Sequence, residues 1–421
     1  MKKYKLNEVY GISRDVPLNY VERESVDKKF RNNLNRDKHI IIFGSSKQGK
    51  TCLRKHCLNS DSYIVVQCSN RWSLAELNSN ILKRAGYELE ISSKTSTSGK
   101  AKILASVKAK LGFIGTELSG ETENSECKET TCQQLELDVE DVNDVIAALE
   151  KIHFNKIIVL EDFHYLKNEI QRDFAIELKA FHENSKLCFV IVGVWLDENK
   201  LVIYNGDLTG RVVSVNADSW SSEEMRLVIE KGAQLLNICF EEDFVSELIQ
   251  RSSDNIYIIQ EACHRVCIEN NIQETQEQYK IIGNKNDAGK FVQEIVKEQS
   301  GRYYSFLTNY ASGFQETNLE MHKWLLYPVI IAEKQELIKG LSYRAIKTKL
   351  TEKHPRGHDL NPGNLTQALK AVVSLQVNKS ILPIIMDYDE SNLKLHIVDR
   401  GFIIWVATQD KNELLELIGV K

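Results

Sequence analysis

The residues whose types and spacing point to chemistry lie in one short stretch, Gly44-Ser45-Ser46-Lys47-Gln48-Gly49-Lys50-Thr51. Two glycines framing four residues, then a lysine and a hydroxyl residue, have the spacing of a loop that cradles phosphate. Backbone N–H groups of a tight turn and of a helix start converge there on anionic oxygens. Gly44 and Gly49 permit the turn and the close approach, Lys50 reaches the terminal phosphates, and the Thr51 hydroxyl ligates Mg²⁺. Ser45, Ser46, Lys47 and Gln48 count among the cradle's binding residues, though the Lys47 side chain has no assigned role and is expected to be solvated. Cys52, in the first turn of the following helix, extends the candidate nucleotide contacts by one residue.

Such a loop needs a strand before it and a helix behind it. KHIIIFG (38–44) is a brief isoleucine-rich run that stops at a glycine, and TCLRKHCLN continues as a helix. The partner chemistry lies about 110 residues on, in Ile157-Ile158-Val159-Leu160-Glu161-Asp162. A buried strand ending in carboxylates holds a metal's water shell and orients an attacking water. By position, Glu161 is expected to serve Mg²⁺ and Asp162 to polarise the water. Aspartate is one methylene shorter than glutamate, so hydrolysis is expected to be slow.

The rest of the chain must position these groups. At 421 residues it is long enough for two or three domains. With 42% apolar and 27% charged residues it has an ordinary globular composition. No apolar run approaches the roughly eighteen residues of a membrane span. The start, MKKYKLNEVYGISRD, has no apolar core of the kind secretory signals carry. Nine cysteines without framework spacing fit free thiols and a cytoplasmic location. A net charge of −5 argues against an all-over nucleic-acid binder.

Four short apolar strands alternate with helices, in KHIIIFG, SYIVVQC (62–68), NKIIVLEDF (155–163) and KLCFVIVGVW (186–195). That alternation predicts an α/β fold with a parallel sheet covered on both faces. Residues 91–137 are polar and low in complexity and read as an insertion with a hairpin, suited to contacting a partner. After Trp220 the pattern is almost wholly helical, opened by Ser221-Ser222-Glu223-Glu224. From about 340, two helices and a hairpin with a polar tip form the pattern of a winged helix. The expected division is an N-terminal segment (1–36), a core (37–220), a helical lid (221–339) and the winged helix (340–421).

These motifs together resemble the AAA+/STAND group of P-loop ATPases, nearest the branch shared by origin-recognition-type initiators and prokaryotic STAND proteins. The resemblance covers a core of about 20–220, a lid and a C-terminal winged helix, and it implies ATP and Mg²⁺ as cofactors. Asn19-Tyr20-Val21-Glu22-Arg23 resembles the segment that packs near the adenine, which places Tyr20 in the nucleotide site. Gly206-Asp207-Leu208-Thr209-Gly210-Arg211-Val212 resembles the loop whose arginine reaches a neighbouring subunit's γ-phosphate. Arg211 is thus the candidate finger of a homo-oligomer. Two departures stand out: Val194-Trp195 follow the fourth strand where a polar sensor is usual, and Ser253-Asp254-Asn255-Ile256-Tyr257 lack the lid arginine, with Arg265 two turns later. Those losses favour a nucleotide-holding switch over a fast motor, controlling a separate effector protein in a setting such as phage defence. The alternative is a DNA-associated ATPase (an initiator, loader or transposition regulator), because residues 340–383 carry seven Lys/Arg against two acids. STAND proteins place a histidine of this module on phosphate, and His396 is a weak match. Cys263-His264-x-x-Cys267, Cys127 and Cys132 read as thiols without a metal, and Tyr303, Tyr304, Phe306 and Tyr310 as core aromatics.

Overall fold

The computed structural model describes residues 2–12, 15–95, 101–107, 133–218, 220–315 and 317–420. The chain opens with α1 (Leu6–Val9) and α2 (Lys29–Leu34). The core then alternates strand and helix: β1 (His39–Phe43), α3 (Lys50–Cys57), β2 (Tyr63–Gln67) and α4 (Leu74–Ala85). A meander follows, β3 (Tyr87–Thr95), β4 (Ala101–Val107) and β5 (Gln133–Leu137). The core resumes with α5 (Val142–Lys151), β6 (Ile157–Glu161), α6 (Asn168–Asn184), β7 (Phe189–Val192), α7 (Lys200–Tyr204) and β8 (Val212–Asn216).

Five strands form one all-parallel sheet in the order β2-β6-β7-β1-β8. Alternate residues of each strand feed opposite faces, as a pleated strand requires. Ile40 and Ile42 of β1 join Val159, Val190, Val192 and Val215 on one face. Ile41 and Phe43 join Ile158, Leu160, Phe189 and Ile191 on the other. Burial on both faces explains why the strands read as unbroken β-branched runs. The fifth strand, β8, escapes that reading, because its edge-strand run VVSVN is broken by a serine. The third strand ends at Glu161, one residue before Asp162, which has left-handed backbone (φ 55°).

The region expected to be an insertion is not wholly peripheral. β3, β4 and β5 pair antiparallel as a three-stranded sheet, and Tyr87, Ala105 and Leu137 are buried in the core. Its polar composition hid these few anchoring residues. Cys127 and Cys132 lie outside the described residues.

The helical unit comprises α8 (Ser222–Leu236), β9 (Ile238–Phe240), α9 (Glu242–Ser252), α10 (Ile256–Glu269), β10 (Lys280–Ile282), α11 (Lys285–Lys297), α12 (Ser300–Ala311), α13 (Met321–Ile331) and α14 (Lys334–Lys339). Ser221 caps α8 through a reciprocal bond with Glu224. The N-terminal segment packs here: Leu6, Val9 and Tyr10 share the unit's core, and the Tyr10 hydroxyl donates to Ile229 O at 2.5 Å. Gly232 allows that approach, since a Cβ there would lie 2.3 Å from the Tyr10 ring.

The C-terminal unit has β11 (Leu341–Ser342), α15 (Tyr343–Lys353), α16 (Pro362–Lys370), α17 (Val372–Asn378), β12 (Met386–Asp389), β13 (Lys394–Ile397), α18 (Arg400–Thr408) and α19 (Lys411–Leu417). Its strands form a small antiparallel sheet in the order β11-β13-β12. Val373, Ile384 and Val398 of this unit bury Val194 of the core in a separate apolar cluster. That contact brings the C-terminal unit up to the end of β7, beside the phosphate loop.

Candidate functional site

The loop between β1 and α3 has the backbone its spacing demands. Gly44 (φ 144°), Lys47 (φ 62°) and Gly49 (φ 81°) all have positive φ. A Cβ on Gly44 would come 3.0 Å from the Asp218 backbone nitrogen, so the first glycine is needed for close packing as well. Gly49 serves as the N-cap of α3, whose first residue is Lys50. The Lys50 ammonium is buried and donates to the carbonyls of Gly44 at 3.0 Å and Ser45 at 2.5 Å. Burial pushes its pKa down to about 8, opposed by the charges of Asp218, Asp162 and Glu161.

The two acids behind the loop face different ways. Glu161 is buried, and its Oε1 accepts from Arg54 Nε at 2.7 Å. Asp162 instead lines the cleft with Lys50 and Thr51, and its Oδ2 accepts from the Gln67 side chain. Burial raises the pKa of both carboxyls, opposed for Glu161 by Arg54 and for Asp162 by Lys50 and Gln67. This departs from the expected division of labour: the outward carboxylate is Asp162, whereas Glu161 is committed to an arginine inside the core. Arg54 and Gln67 were invisible in sequence because each acts on an acid about a hundred residues away.

The cleft has a volume of about 380 Å³, within the range of small-ligand sites. The loop from Ser46 to Cys52 lines it together with apolar side chains that include Ile12, Pro17, Val21, Val228 and Ile256. Tyr20 also lines it, its hydroxyl donating to Asp27 Oδ1 at 2.5 Å and its ring 4.4 Å from His56. Asn19 and Gln260 exchange amide hydrogen bonds at 2.8 and 2.9 Å, tying the N-terminal strap to α10. Arg23 stacks on Trp220 at 3.9 Å.

Lys47 is exposed, as expected, and its ammonium sits 3.9 Å from the Tyr257 ring centroid. Gln48 also bonds the helical unit, donating to Asp254 O at 2.8 Å and accepting from Ile256 N. Where an arginine was looked for at 253–257, the unit thus offers backbone and an aromatic face. Arg265 is engaged with Glu261 and Glu298, each at 2.8 Å.

The C-terminal unit touches the loop directly. Ser46 N–H donates to Val398 O at 2.8 Å. Asp218 accepts from Ser45 N at 2.8 Å and Ser45 Oγ at 3.0 Å, and from Arg400 at 2.7 Å. His396 does not line the cleft; its nearest charged partner is Asp389 at 3.7 Å. Arg211 precedes β8 beside His39, at the end of the sheet opposite the loop, and pairs with Glu183 at 2.6 Å. Cys263 and Cys267 are free and buried, and among the described residues no cluster of His, Cys, Asp or Glu could cage a metal. Tyr303, Phe306 and Tyr310 are buried in the core, as their spacing predicts, whereas Tyr304 is exposed.

The donor set fits a nucleoside polyphosphate with Mg²⁺. Mg²⁺ keeps most of its water and takes only one or two protein ligands; Thr51 and Asp162, which line the cleft together, are the residues that would hold it. The metal would neutralise phosphate charge; the chain itself supplies loop N–H groups, the Lys50 cation and a carboxylate to orient water.

No family model and no curated protein matches the chain. In fold it is similar to a Walker-type ATPase of Pyrococcus abyssi, with a TM-score of 0.51 and 14% identity over 95% of this chain and 100% of that one. Weaker likenesses are to the Aeropyrum pernix ORC1 protein in complex with DNA (TM-score 0.44, 13% identity, 98% and 97% covered) and to the Thermotoga maritima RuvB Holliday junction branch migration motor (TM-score 0.37, 11% identity, 91% and 94% covered). The likeness to the Walker-type ATPase is one of fold, a parallel-sheet core with a helical unit.

Proposed function

We propose that this chain is an ATP- and Mg²⁺-binding regulatory ATPase whose C-terminal unit, read as a winged helix, is coupled to the nucleotide. The cleft supports the nucleotide: Lys50, Thr51 and Asp162 line it together with apolar residues of the N-terminal strap. The bond from Ser46 N–H to Val398 O carries the coupling. An anion in the loop sits against the C-terminal unit, so its binding energy depends on that unit's posture, and the reverse holds by linkage. Slow turnover is supported by the short reach of Asp162, its tie to Gln67 and the apolar Val194 at the end of β7.

The readout that the surface supports best is DNA. Helix α15 presents Arg344, Lys347 and Lys353 as exposed cations. The hairpin tip is not available for a groove, because Ser391 donates to Asp197 at 2.8 Å and Glu390 pairs with Lys370 at 2.6 Å. That docked wing supports a second reading, a switch that holds its C-terminal unit closed and controls a separate effector protein. No residue here bears on a role in phage defence. A homo-oligomer with Arg211 as finger requires that arginine to leave Glu183. The free cysteines support a reducing, cytoplasmic setting.

The test is ATP binding by calorimetry and phosphate release, with and without duplex DNA. Wild type should bind ATP·Mg²⁺ and Lys50→Ala should not. A wild-type chain that neither binds nor hydrolyses ATP overturns the reading.

A further inference from the structure

Arg400 is a buried cation in the seam between the phosphate loop and the C-terminal unit, only 7% exposed. Its Nη2 donates to Asp218 Oδ2 at 2.7 Å. Its Nε and Nη1 have no hydrogen-bond partner among the described residues. A guanidinium carries five N–H donors in a planar fork. Three of them, on Nε and Nη1, are thus buried and unused, and each buried orphan costs free energy. An arginine kept only to pair with Asp218 would be expected to meet the carboxylate with two tines, as bidentate pairs do. Here the second carboxylate oxygen accepts from the Ser45 N–H instead.

The surroundings place Arg400 against the phosphate loop through Asp218, not in the cleft wall itself. Arg400 is the first residue of α18, and Asp399 caps that helix by accepting from Gly401 N and Phe402 N. Asp399 is itself paired with Arg302. The residues on either side of this anchored cap both reach the loop, Val398 through its carbonyl to Ser46 and Arg400 through Asp218 to Ser45. The helical unit brings no arginine at 253–257.

We propose that Arg400 is a phosphate-binding residue of the nucleotide site, supplied by the C-terminal unit. Its free Nε/Nη1 edge takes oxygens of the terminal phosphate of a nucleoside triphosphate, while Asp218 acts as a positioning residue that holds Nη2 and Ser45. Planar two-point recognition of phosphate is what a guanidinium does and an ammonium does not. The inference rests on the ATP reading and adds the residue that tells triphosphate from diphosphate.

The experiment compares ATP·Mg²⁺ and ADP·Mg²⁺ affinities by calorimetry for wild type, Arg400→Ala, Arg400→Lys and Lys50→Ala, with thermal unfolding of each. Arg400→Ala should weaken ATP about tenfold more than ADP, the size of one lost charge-assisted contact. Arg400→Lys, which keeps the charge and the pairing with Asp218, should fold if the alanine variant does not and should still lose part of the ATP preference. An ATP-to-ADP ratio unchanged in the lysine variant and in any folded alanine variant makes Arg400 a structural residue and overturns the proposal. Wild type without nucleotide binding overturns the ATP reading with it. Binding that needs Lys50 and ignores Arg400 overturns this inference alone.

Discussion

Arg54 holds Glu161 inside the core: Nε to Oε1 is 2.7 Å, and the two side chains are 5% and 10% exposed. The pair therefore divides the two acids at the end of β6 into an inner ion-pair partner and an outer carboxylate at the cleft. Glu161→Gln should leave the Arg54 charge buried and unpaired, at about 3–5 kcal/mol of stability. Asp162→Asn should unfold at nearly the wild-type temperature, still bind ATP, and hydrolyse it about 10²–10⁴-fold more slowly. Chemical denaturation and phosphate release on both variants separate the roles. Full turnover in Asp162→Asn would show that the outer acid does no chemistry.

Much of this frame is legible in sequence, for physical reasons that differ by element. β1, β6 and β7 are buried on both faces, and that environment demands the Ile/Val runs by which they are recognised; β2, an edge strand with only Val66 fully buried, keeps an unbroken apolar run. The loop from Gly44 to Thr51 is equally plain, because its backbone conformation depends on local residue types. β8 is an edge strand whose half-buried, serine-interrupted run carries no such signal. Arg54, Gln67, Asp218, Val398 and Arg400 take their roles from tertiary contacts. Arg400 meets a carboxylate 182 residues earlier, and nothing in the local pattern of either residue marks the meeting. Lys47 is exposed as expected, but its aromatic partner Tyr257 belongs to another unit and leaves no local mark.

Lys50 gives the site a pH dependence with a definite sign. Its pKa is held down to about 8 by burial, against 10.5 for an ordinary lysine. Between those values the unfolded chain keeps a proton that the folded chain has released, so stability linked to this group rises with pH. Nucleotide binding moves the other way, because the charged form attracts phosphate. ADP·Mg²⁺ affinity should be level below pH 8 and fall above it, by up to about tenfold per pH unit. Calorimetry from pH 6.5 to about 9.5 measures this. Lys50→Arg, which stays charged, should remove the decline if it binds at all; a decline that persists there would assign it to another group.

Glu177 is a buried carboxyl away from the site, and it makes a separate stability prediction. Burial pushes its pKa up to about 8, opposed by the hydrogen bond from Asn78. The folded chain therefore holds a proton that the unfolded chain loses near 4.5, and stability falls as pH rises from there through about 8. Asn78 Nδ2 reaches both Glu177 oxygens, while Asn78 Oδ1 has no partner among the described residues. A glutamine supplies that oxygen with an N–H and carries no charge. Glu177→Gln should raise stability at pH 8.5 by about 1–3 kcal/mol and flatten its pH dependence in urea titrations. Equal slopes for the two proteins between pH 5 and about 8 would place the proton elsewhere.

The basic face of the C-terminal unit is smaller than its composition suggests. Lys349 is paired with Glu336 at 3.6 Å, Arg356 with Asp359 at 2.7 Å and Lys370 with Glu390 at 2.6 Å. Arg344, Lys347 and Lys353 have no ion-pair partner among the described residues, and Arg344 and Lys347 lie one turn apart on α15. If duplex DNA is bound here, these cations meet phosphates and release counterions. The double variant Arg344→Glu/Lys347→Glu should then lower affinity more than tenfold near 50 mM salt and reduce the log–log salt slope by about 2. Lys370→Glu should leave the slope unchanged, because its charge is already spent on the hairpin tip. The docked tip makes a further demand: if ATP loosens the seam at Val398, it should strengthen duplex binding through the same linkage that lets DNA strengthen ATP binding. Absence of any duplex binding at low salt, with or without ATP, would remove DNA as the readout and leave a protein partner as what the nucleotide controls.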